Sequence, residues 1–413
     1  MRLKILYIST SLVFLVLTYL FAAHFDELSN YFAKDNPRGE LFRVILSTIG
    51  GIGALIALYY IAKQVQAIEK GNVENRFNNA VGHLSYSNST VVLGGIHVLH
   101  QIAIENTNYT RIVHNLFCSY LRENSASLYS VPNKCPVVIQ TLINYLFGNY
   151  NGKASIYKKY PYDLSFSVLK YVDFPKNKLH NVSFENSNME NCCFPNEPMT
   201  DCDFRQASIK YCFFSRTTMT NCNFLDWNGI ECFFEDSKLN NCSFSGSTAK
   251  CNYMNASFTD CYLGGQFKDC YIACTDIVKC SFRGGAFTEC DFHGSRLNNQ
   301  CDLNKSEINK CSFKDTRIST SDFKESTLKE CEFEGSELSV CDLWYATLLT
   351  SNFWKSKLNE CRFWGSNLTN CSFEDTTLTK CDFGKDDSSI PYKAKLINCK
   401  IKNIKLIDTE LPI

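Results

Sequence analysis

The sequence predicts a mainly β protein: a four-sided parallel β-helix over residues 162–413, preceded by a transmembrane helical hairpin over 1–62 and a small α-helical region over 63–161. Three observations carry this reading. A large apolar residue recurs every five positions from Leu164 almost to the end of the chain. Two segments of 19 residues near the N-terminus contain no charge. Between them and the repeat, apolar residues recur at three and four, the period of a helix with one buried face.

The uncharged segments are 5–23, ILYISTSLVFLVLTYLFAA, and 44–62, VILSTIGGIGALIALYYIA. Nineteen helical residues span about 28 Å, close to the hydrocarbon thickness of a bilayer. Neither segment has the polar stripe of a surface helix, so two membrane helices are expected. Arg2, Lys4, Lys63, Lys70 and Arg76 flank their outer ends, against Lys34, Arg38 and Arg43 in the connector. That balance predicts both termini inside. The 23 cysteines lack paired spacing and agree with a reducing compartment. Ser47, Gly50, Gly51, Gly53, Ala54 and Ala57 form a small-residue face suited to packing against the first helix or, less favoured, a second copy.

Residues 63–146 read as four short helices. Their apolar stripes run through Val65, Ile68, Phe77, Val81 and Leu84; Leu93, Ile96, Leu99 and Ile102; Ile112, Val113, Leu116 and Leu121; and Val138, Ile139, Leu142 and Leu146. Ser85–Thr90 and Asn124–Cys135 carry the turns. Gly94-Gly95 calls for close packing or a helix start rather than a helix interior. His83, His97, His100 and His114 are expected at surface or capping positions. His97 and His100 are three apart but have no third ligand at supporting spacing, so no metal is expected there.

From Leu164 the large positions run Leu169, Phe174, Leu179, Phe184, Met189, Phe194, Met199 and onward, most with a small residue two before them. A period of five fits neither a helix nor a strand. Two inward residues two apart, followed by three that turn a corner, make one side of a square; four sides make a coil of twenty. Stacked at about 4.8 Å, such coils form a rod of about twelve turns and about 60 Å. At alternate pentads the inward pair is Cys with Phe, as in Cys202/Phe204, Cys222/Phe224 and Cys361/Phe363; between them it is Ser with Leu, as in Ser326/Leu328. Opposite walls should therefore carry columns of stacked Phe rings. The repeat cysteines are expected inside, packing as small hydrophobes and unreactive until unfolding. Trp227-Asn-Gly229, the slips near Ala249 and Phe267, Asn298–Gln300 and Gly384–Ala394 are expected to be bulged corners or loops.

These pentads resemble the pentapeptide-repeat family, whose fold is a right-handed quadrilateral β-helix. The preceding region resembles the helical segment of its membrane-anchored bacterial members, through Glu74, Arg76, Phe77, Ala80, Leu84, Leu93-Gly94-Gly95-Ile96, Leu99, Ile102-Ala103, Leu121-Arg122-Glu123 and Gln140. It departs from them at Val92, His100 and Gln101. The resemblance implies a bacterial inner-membrane protein with its repeat on the cytoplasmic side.

Forty-two basic and 42 acidic residues cancel, though residues 1–161 carry a balance of +6 and 162–413 one of −6. No nucleophile–base motif, phosphate loop or metal signature is present, so neither enzymatic activity nor a cofactor is expected. The function expected is a membrane-tethered, non-enzymatic protein-interaction scaffold. The alternative, also implied by the family, is a DNA mimic inhibiting a topoisomerase or another DNA-binding protein. Six net charges are few for that role, since duplex DNA carries one per about 1.7 Å of axis. Direct nucleic-acid binding is not expected. The candidate partner-binding surface is Trp344, Tyr345 and Trp364: the two tryptophans are twenty apart, immediately after large core positions, and so face outward on one wall. Trp354 belongs on the opposite wall. A second copy of the rod is one candidate partner, alongside an unidentified protein.

Overall fold

The computed structural model describes Tyr19, residues 37–149 and residues 154–412 apart from 385, 388–389 and 392. The chain divides into two compact units, Met1–Asn78 and Asn79–Ile413. Helix α1, Pro37–His83, begins in the first. Every residue from Ser47 to Lys70 is exposed around the whole circumference of the helix. Among the described residues it is the one helix long and apolar enough to cross a membrane. The helix expected over 5–23 lies outside the described residues except for Tyr19. The chain does not break after residue 62, where the sequence places the end of the hairpin: no proline interrupts 63–83, and the helix continues until the turn at Leu84–Asn88.

In the second unit the end of α1 is followed by α2 (Ser89–Glu105), α3 (Thr107–Asn124) and α4 (Val137–Phe147). Asn88 and Asn106 cap α2 and α3, their side chains accepting from the backbone N–H of Thr90 and Asn108. Gly94 and Gly95 lie inside α2, not at its start. Gly95 is there for close packing: a Cβ would come within 2.7 Å of the Ala80 carbonyl and 2.8 Å of His83 Cβ. His100 and His114 correct the expectation of surface or capping histidines. Both point into the core these helices share, because each falls on the apolar face of its helix beside Leu99, Ile96, Val113 and Phe117.

From Tyr162 the chain coils. Two long parallel sheets of twelve and thirteen strands carry the aliphatic pentads, and single β-bridges link the Phe pentads on the two walls between them. Register is one coil per twenty residues, as in Leu179↔Met199 and Met199↔Met219. Most corners are turned by one residue of positive φ directly before the small inward residue, as at Asp201 (54°), Gln206 (56°), Tyr211 (56°), Arg216 (61°) and Asn221 (56°). This left-handed conformation costs an L-residue about 1–2 kcal/mol. Asn and Asp tolerate it best, which explains why so many corners carry them. Inward Ser and Thr hydroxyls next to the Phe walls donate to a carbonyl three residues back, as Ser237 does to Phe234 and Ser326 to Phe323, both at 2.6 Å.

The two Phe columns form the core. Successive rings stack with centroids 4.4–5.0 Å apart and planes within 14°. In the lower coils rings of opposite columns meet edge to face, as Phe184 does Phe194 at 6.0 Å and 89°. That geometry suits the ring quadrupole on both contacts.

The irregular places are mixed. Coils of nineteen residues follow the slips near Ala249 and Phe267, as in Leu239↔Phe258 and Phe258↔Ile277. Asn299 and Gln300, at φ 57° and 67°, absorb one extra residue at a corner. Asp386–Asp387 and Ile390–Pro391 form an antiparallel hairpin inside the insertion after Gly384. Trp227-Asn-Gly229 is not a loop. Ile209 pairs with Gly229, so the register with the coil below is intact, while a β-bulge falls between Phe224 and Trp227 in the pairing with Phe244 and Gly246 of the coil above. Small and large have exchanged places: Trp227, buried, fills the space next to Gly229, where any Cβ would strike the indole ring. The indole meets Phe224 at 5.1 Å and Phe244 at 5.8 Å, both edge to face.

The first coil has no coil beneath it, and the helices supply its missing partners. Ser125 Oγ accepts from the Val168 amide at 2.8 Å and Tyr129 Oη from that of Lys170 at 2.5 Å. Gln140 accepts from the Asp173 amide at 3.1 Å and donates to its carbonyl at 2.7 Å, as a strand would. Arg122 pairs with Asp163 on the first strand. An edge that would otherwise recruit another chain is thereby covered.

Two predictions follow from this packing. Trp227→Ala is expected to cost about 3–5 kcal/mol, as other large-to-small aromatic core changes do. Gly229→Leu is expected to be destabilising alone, while the double variant, which restores a small–large pair, is more stable than either single variant. Denaturant melts of all four proteins measure this; strictly additive losses would refute the exchange. At Val340 a β-branched, 44 % exposed side chain sits at φ 57°. Val340→Asn should raise stability by about 1 kcal/mol, and an unchanged melting midpoint would count against corner strain.

Candidate interaction surface of the repeat

Outward positions alternate with inward ones along each side, so every surface residue belongs to a column one strand spacing apart. Charges in these columns pair across coils. Glu337 bridges Arg317 at 3.4 Å and Lys357 at 3.0 Å, and Lys305 meets Glu325 at 3.4 Å. Lys357 beside Glu337 holds its carboxyl below the usual range. Like charges also stand in register, as in the column Asp302, Asp322 and Asp342 and in the pair Arg296 and Arg317, so the surface mixes paired opposite charges with short runs of one sign.

Trp344 and Trp364 lie in adjacent coils on one wall, stacked at 4.9 Å and 14°. Both are half-buried. Beneath the stack, Asp342, itself buried, bridges Lys324 at 3.2 Å and Arg362 at 3.3 Å, and both cations approach the Trp344 ring. The Trp344 N–H is turned away from solvent and has no hydrogen-bond partner. Tyr345, at a corner with φ 54°, is 49 % exposed and lies over Gly365, where a Cβ would come within 2.6 Å of its ring. The structure therefore brings the three residues together, with Tyr345 offering the most accessible surface. Trp354 is separate: its N–H donates to Asp375 at 3.0 Å and Lys355 covers its ring at 3.9 Å.

A second exposed aromatic group stands outside that set. Phe213 and Phe233 stack at 4.8 Å on an outward column, with Tyr211 at the neighbouring corner and Cys193 one coil below Phe213. The signal was in the sequence: Phe213 directly precedes the inward Phe214, so it must face out.

No cysteine forms a disulfide. Eighteen repeat cysteines are buried in two ladders, Cys192–Cys212–Cys232 onward and Cys202–Cys222–Cys242 onward. Each sulfur is directed at backbone carbonyls, for example Cys331 Sγ at 3.4 Å from those of Ile308 and Lys329. Burial pushes the thiols of Cys331 and Cys371 up to about 12. The expectation that all repeat cysteines lie inside is corrected at Cys193 and Cys274, which are exposed, and at Cys399, which is half-buried. Cys193 occupies the outward slot before Phe194, and Cys274 a positive-φ corner at 56°. Among the described residues no group of three or more His, Cys, Asp or Glu is placed to hold a metal ion.

A thiol whose folded pKa is raised contributes stability fully present below its unfolded value of 9.0 and lost as pH rises towards about 12. The melting temperature should accordingly hold to about pH 8.5 and fall steeply above about pH 9. Native labelling should show one fast phase, from Cys193 and Cys274, that Cys193→Ser with Cys274→Ser abolishes. A flat alkaline profile, or a fast phase surviving both substitutions, would remove the buried-ladder account.

The model of the family described as pentapeptide repeats matches in eight copies, over residues 199–226 and 351–384. None of the curated proteins matches the chain. Among solved structures it is similar to HetL, a pentapeptide repeat protein involved in heterocyst differentiation regulation from the cyanobacterium Nostoc sp. strain PCC 7120. The identity is 14%, over 57% of this chain and 87% of that one, with a TM-score of 0.23. It is also similar to trypsin-treated QnrB1, a plasmid-mediated fluoroquinolone resistance protein, at 17% identity over 58% of this chain and 90% of that one, with a TM-score of 0.19. With eight matched copies on a coil of small and large inward residues, the solenoid of this chain carries the repeats of the pentapeptide-repeat family.

Proposed function

We propose that this protein is a membrane-tethered, non-enzymatic interaction scaffold. Two helices, 5–23 and 44–62, anchor it in a bacterial inner membrane, with the right-handed quadrilateral repeat on the cytoplasmic side. Trp344, Tyr345 and Trp364 are its partner-binding surface, open to a second copy or to another protein.

The observation that carries this reading is the stretch Ser47–Ala62. It is uncharged and exposed on every side, in the same chain as a rigid repeat. Sixteen apolar or weakly polar helical residues exposed to solvent are unfavourable in water and favourable in lipid. The DNA-mimic alternative is less well supported, because the net charge of residues 162–413 is only −6 and many of its surface acids are paired coil to coil with a base, as Asp236 is with Arg216 and Glu360 with Lys380.

Membrane fractionation of the full chain carrying a C-terminal alkaline phosphatase tests the tether. The fusion is expected to resist alkaline extraction from membranes and to be enzymatically silent; an active phosphatase would reverse the topology. In the same cells, Trp344→Ala with Trp364→Ala should reduce cross-linked partner recovery at least about tenfold, the loss of a single hot spot. Recovery that falls only in step with melting temperature would make the stack purely structural.

A further inference from the structure

Two imidazoles lie in the core of the helical cap. His100, on α2, is 4 % exposed, stacks on Tyr145 of α4 at 3.7 Å, and has Nδ1 3.0 Å from Tyr157 Oη. His114, on α3, is 1 % exposed and packed against the rings of Tyr157, Tyr160 and Tyr162 at 5.1–6.0 Å. Its Nδ1 meets Asn115 and its Nε2 lies 3.8 Å from Cys118 Sγ. Tyr157 is fully buried between the two.

The titratable and charged groups facing this pair come from each packed element. They are His97 on α2, Cys118 on α3, Tyr145 on α4, and Tyr157, Tyr160 and Tyr162 on the segment entering the first strand. Arg122 and Asp163 act on Cys118 and are paired with each other. This is an environment of phenol rings, a thiol and a second imidazole, and it accommodates neutral histidines.

The same helices hold the groups that cover the solenoid's first edge. Ser125 directly follows α3, Tyr129 lies four residues beyond it, and Gln140 is on α4. We propose that the helical cap is an acid-operated latch. Charging His100 and His114 loosens α2–α4 and withdraws Ser125, Tyr129 and Gln140 from the backbone of Val168, Lys170 and Asp173, uncovering a strand edge able to pair with another chain.

Burial, with His97 adding to it, pushes His100 down to about 4, and burial lowers His114 too. Groups with depressed folded pKa values contribute stability that is fully present above the unfolded value of 6.5 and is lost as pH falls towards about 4. The latch is therefore closed at neutral pH and opens on acidification through that window.

Hydrogen exchange of the full chain at about pH 7 and about pH 4.5, corrected for intrinsic rates, tests this. The amides of Val168, Lys170 and Asp173 are expected to lose at least about tenfold in protection, while those of Phe313 and Phe333 keep theirs. His100→Gln with His114→Gln should keep the edge protected at both pH values. Edge protection unchanged at low pH overturns the proposal. So does opening of the double variant in step with the natural chain, which would assign the response to the Arg122–Asp163 bridge. An NMR titration of the natural chain covers the case in which the variant fails to fold: imidazoles titrating near 6.5 would equally overturn it.

Discussion

Parallel backbone pairing at about 4.8 Å is the constraint on which the rest of this structure depends. Once coils are hydrogen-bonded at that spacing, every position is repeated one strand away, and a side chain must tolerate its own kind as a neighbour. Flat aromatic rings meet that demand, since 4.4–5.0 Å between centroids is a good offset stack. Opposed columns then interlock edge to face in the lower coils. Cysteine meets it as well, being small, apolar and able to point its S–H at a carbonyl of the coil below. On the surface the same rule makes like charges in register costly, and opposite charges offset this where they meet: Glu337 bridges Arg317 and Lys357, and the Asp342 end of the Asp302–Asp322–Asp342 column is flanked by Lys324 and Arg362.

A ladder of this kind has ends, and the N-terminal end is solved by side chains acting as backbone. Gln140 is the clearest case: its amide offers one acceptor and one donor in the spacing of a peptide unit, and it engages both groups of Asp173. Tyr129 does the same at Lys170, accepting from its amide and donating to its carbonyl, while Ser125 accepts from the Val168 amide. The cap is thus coupled to the solenoid through these polar contacts and through Phe147, which packs on Tyr162 and Phe174, rather than through a continuous sheet.

The exposed groups are distributed in keeping with a scaffold. A regular wall holds its outward residues at fixed spacing, so a few replacements of polar by aromatic residues create a defined patch at little cost to the core. Two such replacements stand out, at Trp344, Tyr345 and Trp364 and at Phe213 and Phe233. They occupy different coils and differ in chemistry: the first is framed by Lys324, Asp342 and Arg362, while the second is apolar beside Tyr211 and Cys193.

The sequence by itself determined the coil, the identity of its walls, the inward ladders and the outward position of Trp344 and Trp364. All of these follow from a local period of five, and local geometry repeats wherever the period does. Even Trp227 interrupts the small–large rhythm visibly in the sequence. That its indole fills the space left by Gly229 was decided only by packing across the core, since the register with the coil below survives and the volumes change places. Cys193 and Cys274 were legible in retrospect from their place in the pentad, though they were hidden by the overall cysteine rhythm. The cap was decided by tertiary structure. Gln140 reaches Asp173 and His100 reaches Tyr157 across 33 and 57 residues, and no periodicity of α2–α4 specifies which polar side chains face the first coil and which imidazoles are enclosed.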